Sequence, residues 1–244
     1  MVKRKNIRKN IFKEKKYIYL PLNLVLCVML IGCGTANKHI TDTTQKKVDD
    51  TDVEKTNEEV SINEAVDIAY KKANEFYDDL ELTEIHSYDN DEYPSEDSGI
   101  DGKREWWYVN FANTDNNYVS VLICDGKIQS VVPMEENGNN GLFSMDDITV
   151  TADQVINIAT NYGLRGGNPN VEEEWVSGFN YKIEYSSLTD MPDDKRLFYE
   201  VIGISQDGNL AHVDVDATTG DVLLAEEKIE FTNDNFQWRS LEMK

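Results

Sequence analysis

The sequence predicts an α+β fold of two tandem units, in each of which one helix packs on an antiparallel sheet of three to four strands. Two observations lead to this prediction. Two capping boxes, Ser61-Ile62-Asn63-Glu64 and Thr151-Ala152-Asp153-Gln154, each begin a stretch in which apolar residues recur at helical spacing. In addition, residues 103–109 align with residues 195–201 at a shift of 92 positions, and a polar turn and a second alternating strand follow each stretch. We therefore expect the second unit to repeat the first.

The N-terminal segment has the pattern of an export signal. Eight Lys or Arg residues and one acid precede an apolar run over residues 17–31, which is the order of regions in a secretory signal peptide. The run ends in Leu30-Ile31-Gly32-Cys33, which resembles the bacterial lipobox. The resemblance implies that residues 1–32 are removed and that Cys33 carries a diacylglyceryl group, so that acyl chains such as palmitate anchor the protein at the extracytoplasmic face of the cell membrane. An uncleaved signal anchor is the alternative.

The charge of the chain excludes one class of partner. Eight of the 24 basic residues and one of the 46 acidic residues precede Cys33, so the chain from Cys33 onward has a formal charge of −29. Phosphate backbones repel such a surface, and we therefore expect no nucleic acid as partner. Cations, basic peptides and basic protein surfaces are the complementary ligands.

Composition and apolar spacing divide the chain into segments. Residues 42–60 contain almost no large apolar side chains, which is typical of a disordered linker, whereas apolar spacing predicts a helix over residues 62–78. Residues 136–141 are rich in Asn and Gly, which is typical of a linker. The predicted segments are a signal peptide at 1–32, a disordered acidic linker at 33–60, the first unit at 61–135, a linker at 136–147, the second unit at 148–230 and a C-terminal tail at 231–244.

The second unit resembles a known domain family. The resemblance lies in residues 151–159, which begin with the second capping box, and in residues 212–223, which contain a strand, the turn Asp216-Ala217-Thr218-Thr219-Gly220 and the start of a further strand. In that turn, we expect Asp216 and Thr218 to bond the backbone of the turn and Gly220 to have a positive φ. Both stretches are similar to the PepSY domain of the propeptides of thermolysin-type metallopeptidases. The resemblance implies a non-enzymatic role, such as inhibition or regulation of a peptidase. The first unit is PepSY-like only through its parallel with the second.

No residue pattern indicates a catalytic, cofactor or metal site. His39, His86 and His212 form no His-Glu-x-x-His pair or Cys/His cluster, and Cys124 lies in an apolar run that predicts a buried, inert thiol. The loop 89–101 holds six carboxylates in thirteen residues. It does not follow the EF-hand pattern, so we expect a solvated acidic loop, with weak calcium binding as the alternative.

Aromatic residues provide a candidate binding surface. Trp106 and Trp107 are consecutive in one predicted strand, as are Phe198 and Tyr199 in another. Since neighbours along a strand point to opposite sides of the sheet, one ring of each pair must point away from the helix. The outward rings either pack between the two units or contact a peptide or glycan.

Together these patterns predict a membrane-anchored extracytoplasmic lipoprotein that is a non-catalytic binding or regulatory module. Its expected partner is a protein or peptide, with an exported peptidase as the first candidate. Two alternatives remain open from the sequence: an envelope enzyme with an unrecognised carboxylate site, and a calcium-dependent structural protein of the envelope. No cofactor is predicted.

Overall fold

The computed structural model describes residues 58–243, except 92–93, 135–140, 172–173, 175, 189–194 and 233–234. The predicted signal peptide, Cys33 and most of the predicted linker at 33–60 lie outside the described residues. Within the described ranges, no helix combines the length and the apolar character that crossing a bilayer requires.

The described residues form two α-helices, eleven strands and one short 3-10 helix. The helices are α1 (Ile62–Ala73), α2 (Ala152–Asn161) and the 3-10 helix Met145–Asp147. The strands are β1 (Val60–Ser61), β2 (Glu81–Ser87), β3 (Lys103–Arg104), β4 (Trp106–Ala112), β5 (Tyr118–Cys124), β6 (Lys127–Met134), β7 (Asn180–Ser187), β8 (Lys195–Ile204), β9 (Leu210–Asp216), β10 (Val222–Thr232) and β11 (Asn235–Ser240).

The prediction of two tandem helix-on-sheet units is wrong. The described residues are mostly β, with 46% of them in strands, and nine strands form one antiparallel sheet in the order β11-β10-β9-β8-β7-β2-β4-β5-β6. The short strands β1 and β3 pair separately. The sheet is continuous because β2 pairs with β7, and this pairing joins the strands that follow α1 to those that follow α2.

The junction between β2 and β7 has a physical reason. A strand at the edge of a sheet leaves one row of backbone N–H and C=O groups without partners, and pairing β2 with β7 removes two such edges at once. Ile85 lies opposite Ile183 in this pairing, and both side chains are fully buried. The junction therefore contributes both backbone hydrogen bonds and apolar burial.

Both helices pack on the same face of the sheet. The register places Val121, Val109, Ile85, Ile183 and Tyr199 in one row across five strands, and these residues belong to one hydrophobic core with the buried residues of α1 and α2. Helix α1 contacts β4, β5 and β6, while α2 contacts β8 and β9. The opposite face of the sheet carries neither α-helix, and we call it the open face.

The local predictions for the helix starts and for Asp216 and Gly220 in the β9–β10 turn are confirmed, whereas the Thr218 hydroxyl donates to the Asp147 carbonyl outside the turn at 3.3 Å. Ser61 and Thr151 cap their helices in complete capping boxes. In the turn, the Asp216 carboxylate accepts hydrogen bonds from the backbone N–H groups of Thr218 and Thr219 at 2.9 and 2.8 Å, and Gly220 has a φ of +79°. Helix α1 ends at Ala73, five residues before the predicted end at 78.

The segment 231–244, which the sequence assigns to a tail, contains the end of β10 and all of β11. Strand β11 pairs with β10 in an antiparallel hairpin. The Arg239 guanidinium fixes this hairpin, because its Nε donates to the buried carboxylate of Glu227 at 2.8 Å. The last strand therefore extends the sheet and brings two further aromatic residues, Phe236 and Trp238, to the open face.

Candidate functional site

The open face is defined by the strand residues that alternate with the core residues. In β4 these are Trp106, Tyr108 and Asn110, which lie between buried neighbours such as Trp107 and Val109. A mixed row crosses the middle of the face, where cross-strand partners are adjacent on the same side of the sheet. The row consists of Tyr108, His86, Lys182, Glu200 and Asp214 on five consecutive strands of the sheet.

One side of the open face is aromatic. Tyr88 lies between Trp106 and Tyr108, with ring centroids separated by 5.5 and 5.2 Å, and Tyr108 lies 5.1 Å from the His86 ring. The indole N–H of Trp106 is buried and has no hydrogen-bond partner. Burial raises the pKa of Tyr88 to about 12, so its hydroxyl remains a donor at neutral pH. This aromatic surface offers rings and hydroxyl groups to a ligand.

The centre of the open face is charged. The Lys182 ammonium lies 3.1 Å from Glu184 and 3.7 Å from Glu84, and the His86 ring nitrogen lies 3.2 Å from the same Glu84 carboxylate. Burial tends to raise the pKa of Glu84, but the hydrogen bond and charge of His86 and the charge of Lys182 outweigh burial and lower it. Glu84 is therefore ionised at neutral pH, and Lys182 is held between two carboxylates.

A second charged group lies on β8 and β9. Glu200 and Asp214 are directly opposite each other across the two strands, and His212 precedes Asp214 by two positions on the same face. The His212 Nδ1 lies 2.9 Å from Asp214 and 3.6 Å from Glu200. Burial tends to lower the pKa of His212, but the hydrogen bond and charge of Asp214 and the charge of Glu200 raise it overall. Burial, followed by the charge of Asp214, raises the pKa of Glu200.

Exposed aromatic rings line the other side of the open face. The Trp238 ring contacts the His212 ring edge-on at 5.0 Å, and the Phe236 ring lies 6.3 Å from Trp238. Phe236 is 51% exposed and Trp238 is 41% exposed, and the two rings are adjacent. The Lys228 ammonium lies 4.8 Å from the Phe236 ring centroid. The charged centre of the face is thus flanked by aromatic residues on both sides.

The four aromatic residues of the predicted binding surface lie on both faces of the sheet. Trp107 and Tyr199 are buried in the core, where the Trp107 indole donates to the Val60 carbonyl at 2.9 Å. Trp106 and Phe198 lie on the open face, but Phe198 is only 4% exposed. Trp106 is therefore the one member of this set that is partly accessible.

Part of the acidic loop 89–101 is paired inside the protein. Arg104 is fully buried and its guanidinium bonds Asp89 and Asp91, each at 2.9 Å. The same guanidinium donates to the backbone carbonyls of Ser177 and Phe179 at 2.8 and 3.0 Å. Burial raises the pKa of Asp91 to about 6, although the charge of Arg104 opposes this change. The cation bound by these two carboxylates is thus a side chain of the same protein, and calcium binding by the other acids of the loop stays a prediction.

The cysteine and the histidines considered in the sequence lie in different parts of the protein. Cys124 is a free, buried thiol, and burial raises its pKa to about 12, so it is protonated at neutral pH. His86 and His212 lie in strands on the open face, whereas His39 lies outside the described residues. Arg104, Lys182 and Glu200 belong to no sequence motif that indicates a site. The one indication in the sequence is a charged residue within an alternating strand, such as Lys182 between Tyr181 and Ile183. Such a residue indicates that the side of the strand opposite the core carries charge.

Comparison with known proteins identifies one domain in the chain. The family model for PepSY, described as peptidase propeptide and YPEB domain, matches residues 149–226. No curated protein and no solved structure matches this chain. The matched residues contain α2, β7, β8, β9 and the first half of β10, and they include Glu200, His212 and Asp214. The match therefore places one PepSY domain at residues 149–226.

Proposed function

We propose that this chain is a lipid-anchored binding module at the extracytoplasmic face of the cell membrane. In this proposal it has no catalytic activity and regulates an exported protein, with a peptidase as the first candidate. The PepSY match supports a regulatory role, since this domain is associated with peptidase propeptides. The lipobox-like sequence before Cys33 supports the anchor. We further propose that residues 61–135 are a divergent second copy of the domain.

The observation that carries the proposal is the open face. Antiparallel sheets often leave one face in water, but such a face is normally polar throughout. Here Phe236 and Trp238 are each more than two-fifths exposed, and Trp106 is partly exposed beside Tyr88. Aromatic side chains, Tyr and Trp among them, are enriched at protein interaction surfaces relative to the rest of a protein's surface. The formal charge of −29 after Cys33 favours a basic partner surface.

An enzyme with a carboxylate site is the second candidate, and one observation favours it. The pKa of Glu200 is raised while the neighbouring His212 is paired with Asp214, and separated pKa values are typical of acid–base catalysis. However, two clefts of about 470 and 360 Å³ are lined by other residues. A cluster on an open sheet face lacks the enclosure that catalysis usually requires. The binding role is therefore preferred.

The anchor is tested by the substitution Cys33→Ala. We expect this variant to lose all incorporation of a clickable fatty acid and to keep its signal peptide, because Cys33 is the proposed acyl acceptor. The variant Cys124→Ala is the matched control and should be labelled like the wild type, since its thiol is buried. Labelling that persists in Cys33→Ala would contradict the lipoprotein assignment.

The binding face is tested by photo-crosslinking on intact cells. A photoreactive phenylalanine analogue at Phe236 on the open face should capture an exported protein. The same analogue at Tyr70 should not, because Tyr70 is similarly exposed, at 42%, but lies on α1. With the captured partner purified, Trp106→Ala is expected to weaken binding by about 2 kcal/mol.

Two controls make this result interpretable. Tyr70→Ala should leave the affinity within about 0.5 kcal/mol of the wild type, and circular dichroism should show that Trp106→Ala keeps its fold. Raising the salt concentration should slow association with a basic partner more than it accelerates dissociation. Equal capture from both positions, or substrate turnover that Glu200→Gln abolishes, would refute the proposed function.

A further inference from the structure

The second charged group of the open face has the composition of a metal site. Among the described residues, Glu200, His212 and Asp214 are one of two groups in which three potential ligand atoms lie within 4.8 Å of one another. They offer one imidazole nitrogen and two carboxylate oxygens. We propose that Glu200, His212 and Asp214 bind a divalent transition-metal ion, with Zn²⁺ as the best match. This inference goes beyond the proposed function and does not depend on any partner.

Two of the three distances between the ligand atoms are close to those of a zinc site. Zinc binds nitrogen and oxygen ligands at about 2.0–2.2 Å in a tetrahedral arrangement, which places neighbouring ligand atoms about 3.3 Å apart. The His212 Nδ1 is 2.9 Å from the Asp214 oxygen and 3.6 Å from the Glu200 oxygen. These distances bracket the tetrahedral value. An ion between the three atoms requires the imidazole to be deprotonated at Nδ1.

The position of the ligands on the sheet is rigid. Glu200 is the cross-strand partner of Asp214 on the neighbouring strand, and His212 lies two residues before Asp214 on the same strand and face. All three come from the interior of a nine-stranded sheet, where backbone hydrogen bonds on both sides fix each strand. The Trp238 ring contacts the His212 ring from β11 and restricts its orientation. A site on rigid strands needs little reorganisation to bind an ion.

A second observation is the high density of carboxylates around the group. Asp214 is 3% exposed, and the side chains of His212 and Glu200 are 14% and 22% exposed. The charge of Lys182 acts on Glu200, but its ammonium lies between Glu84 and Glu184. Lys228 pairs with Glu230. The carboxylates that share this part of the face are Glu84, Glu184, Glu200, Asp214 and Glu226. A divalent cation would offset this excess in a half-buried environment, where isolated charges are costly.

The ligand set selects the class of metal. Calcium prefers six to eight oxygen ligands and magnesium prefers octahedral oxygen coordination, whereas this group provides three ligands including an imidazole. Imidazole nitrogen is a preferred ligand of zinc, copper, iron and nickel. Three protein ligands also leave one position of a tetrahedral ion for water or for a group of a partner protein.

The experiment uses the untagged full chain, purified in detergent and stripped with a chelator. Titration with zinc chloride in a calorimeter is expected to show one ion per chain, and cobalt chloride should produce the visible absorption of a tetrahedral Co²⁺ complex. Because His212 contacts Trp238, zinc should also change the tryptophan fluorescence. Magnesium and calcium chlorides at the same concentration should give none of these signals.

Matched variants separate this site from others. His212→Gln and Asp214→Asn should each lower zinc affinity by about tenfold or more. His86→Gln is the control, because His86 also pairs with a carboxylate, Glu84 at 3.2 Å, but is outside both ligand groups. Cys124→Ala tests the other group, which contains Glu105 and Asp125. Both control variants should bind zinc within about twofold of the wild type.

The outcomes decide the proposal directly. Loss of the zinc and cobalt signals in His212→Gln, with both signals retained in His86→Gln and Cys124→Ala, supports the site. Circular dichroism and thermal unfolding in the presence of chelator establish that the variants are folded. If His212→Gln or Asp214→Asn does not fold, Glu200→Gln replaces it. Absence of binding by the wild type, equal affinity in His212→Gln, or loss of binding in Cys124→Ala overturns the proposal.

Discussion

Replacing Arg104 by methionine is expected to lower the free energy of unfolding by about 3–5 kcal/mol. The Arg104 side chain is fully buried and bonds the carboxylates of Asp89 and Asp91. Methionine has a similar volume but leaves these two acids without their cation, and Asp91 is only 4% exposed at its side chain. Equilibrium unfolding in urea, followed by tryptophan fluorescence and circular dichroism, measures the loss.

The neighbouring residue provides the control for this substitution. Lys103→Gln removes a positive charge one position away, where the lysine is 47% exposed and lies 3.4 Å from Asp101. Exposed ion pairs contribute little, so this variant should lose less than about 1 kcal/mol. Adding Asp89→Asn and Asp91→Asn to Arg104→Met should recover part of the stability, because the uncompensated charges are then removed. If Arg104→Met is as stable as Lys103→Gln, the buried ion pair does not hold the loop in place.

The parts of the fold that local hydrogen bonds determine were predictable from the sequence. Ser61 with Glu64 and Thr151 with Gln154 form the capping boxes that the sequence predicts, because each box needs only four consecutive residues. The turn at Asp216 and Gly220 is local in the same sense. The alternation in β4 likewise predicts that Trp106 and Trp107 lie on opposite faces, and the structure places them so.

The arrangement of the strands in the sheet was not predictable in this way. Ile85 and Ile183 are almost one hundred residues apart, and no local pattern identifies a strand's partner at that separation. Each half of the chain could satisfy its own alternation as a separate sheet, which is the arrangement the sequence predicted and the structure excludes. The pairing of β2 with β7 is decided by the burial of both edges, a property of the assembled sheet.

The partners of the charged side chains could not be predicted from local sequence patterns either. The acids of the loop 89–101 suggested a solvated surface or a bound calcium ion, because the sequence does not reveal which cation is nearby. In the structure, Arg104 reaches Asp89 and Asp91 and also two carbonyls near β7. His212 and Glu200 were likewise twelve residues apart in sequence and became neighbours through the register of β8 and β9. A site formed by side chains of different strands can be predicted only when the register of those strands is known, and the sequence pattern does not determine that register.

The continuous sheet leads to the last prediction. Ile85→Ala and Ile183→Ala are each expected to lower the free energy of unfolding by about 2–5 kcal/mol, because both isoleucines are fully buried at the junction of β2 and β7. If the nine strands form one cooperative unit, each substitution must destabilise both halves of the sheet equally. Separate units would instead confine the effect of Ile85→Ala to the first half and that of Ile183→Ala to the second.

Native-state hydrogen exchange distinguishes these outcomes. For amides that exchange only through global unfolding, the rate should rise about tenfold for every 1.4 kcal/mol lost. We expect the same factor in β5 and in β9, which lie on opposite sides of the junction. Ile100→Ala is the matched control, because Ile100 is 52% exposed and its truncation should cost less than about 0.5 kcal/mol. Exchange that accelerates in one half alone would mean that β2 and β7 join two independently stable sheets, and the open face would then be two surfaces able to move apart.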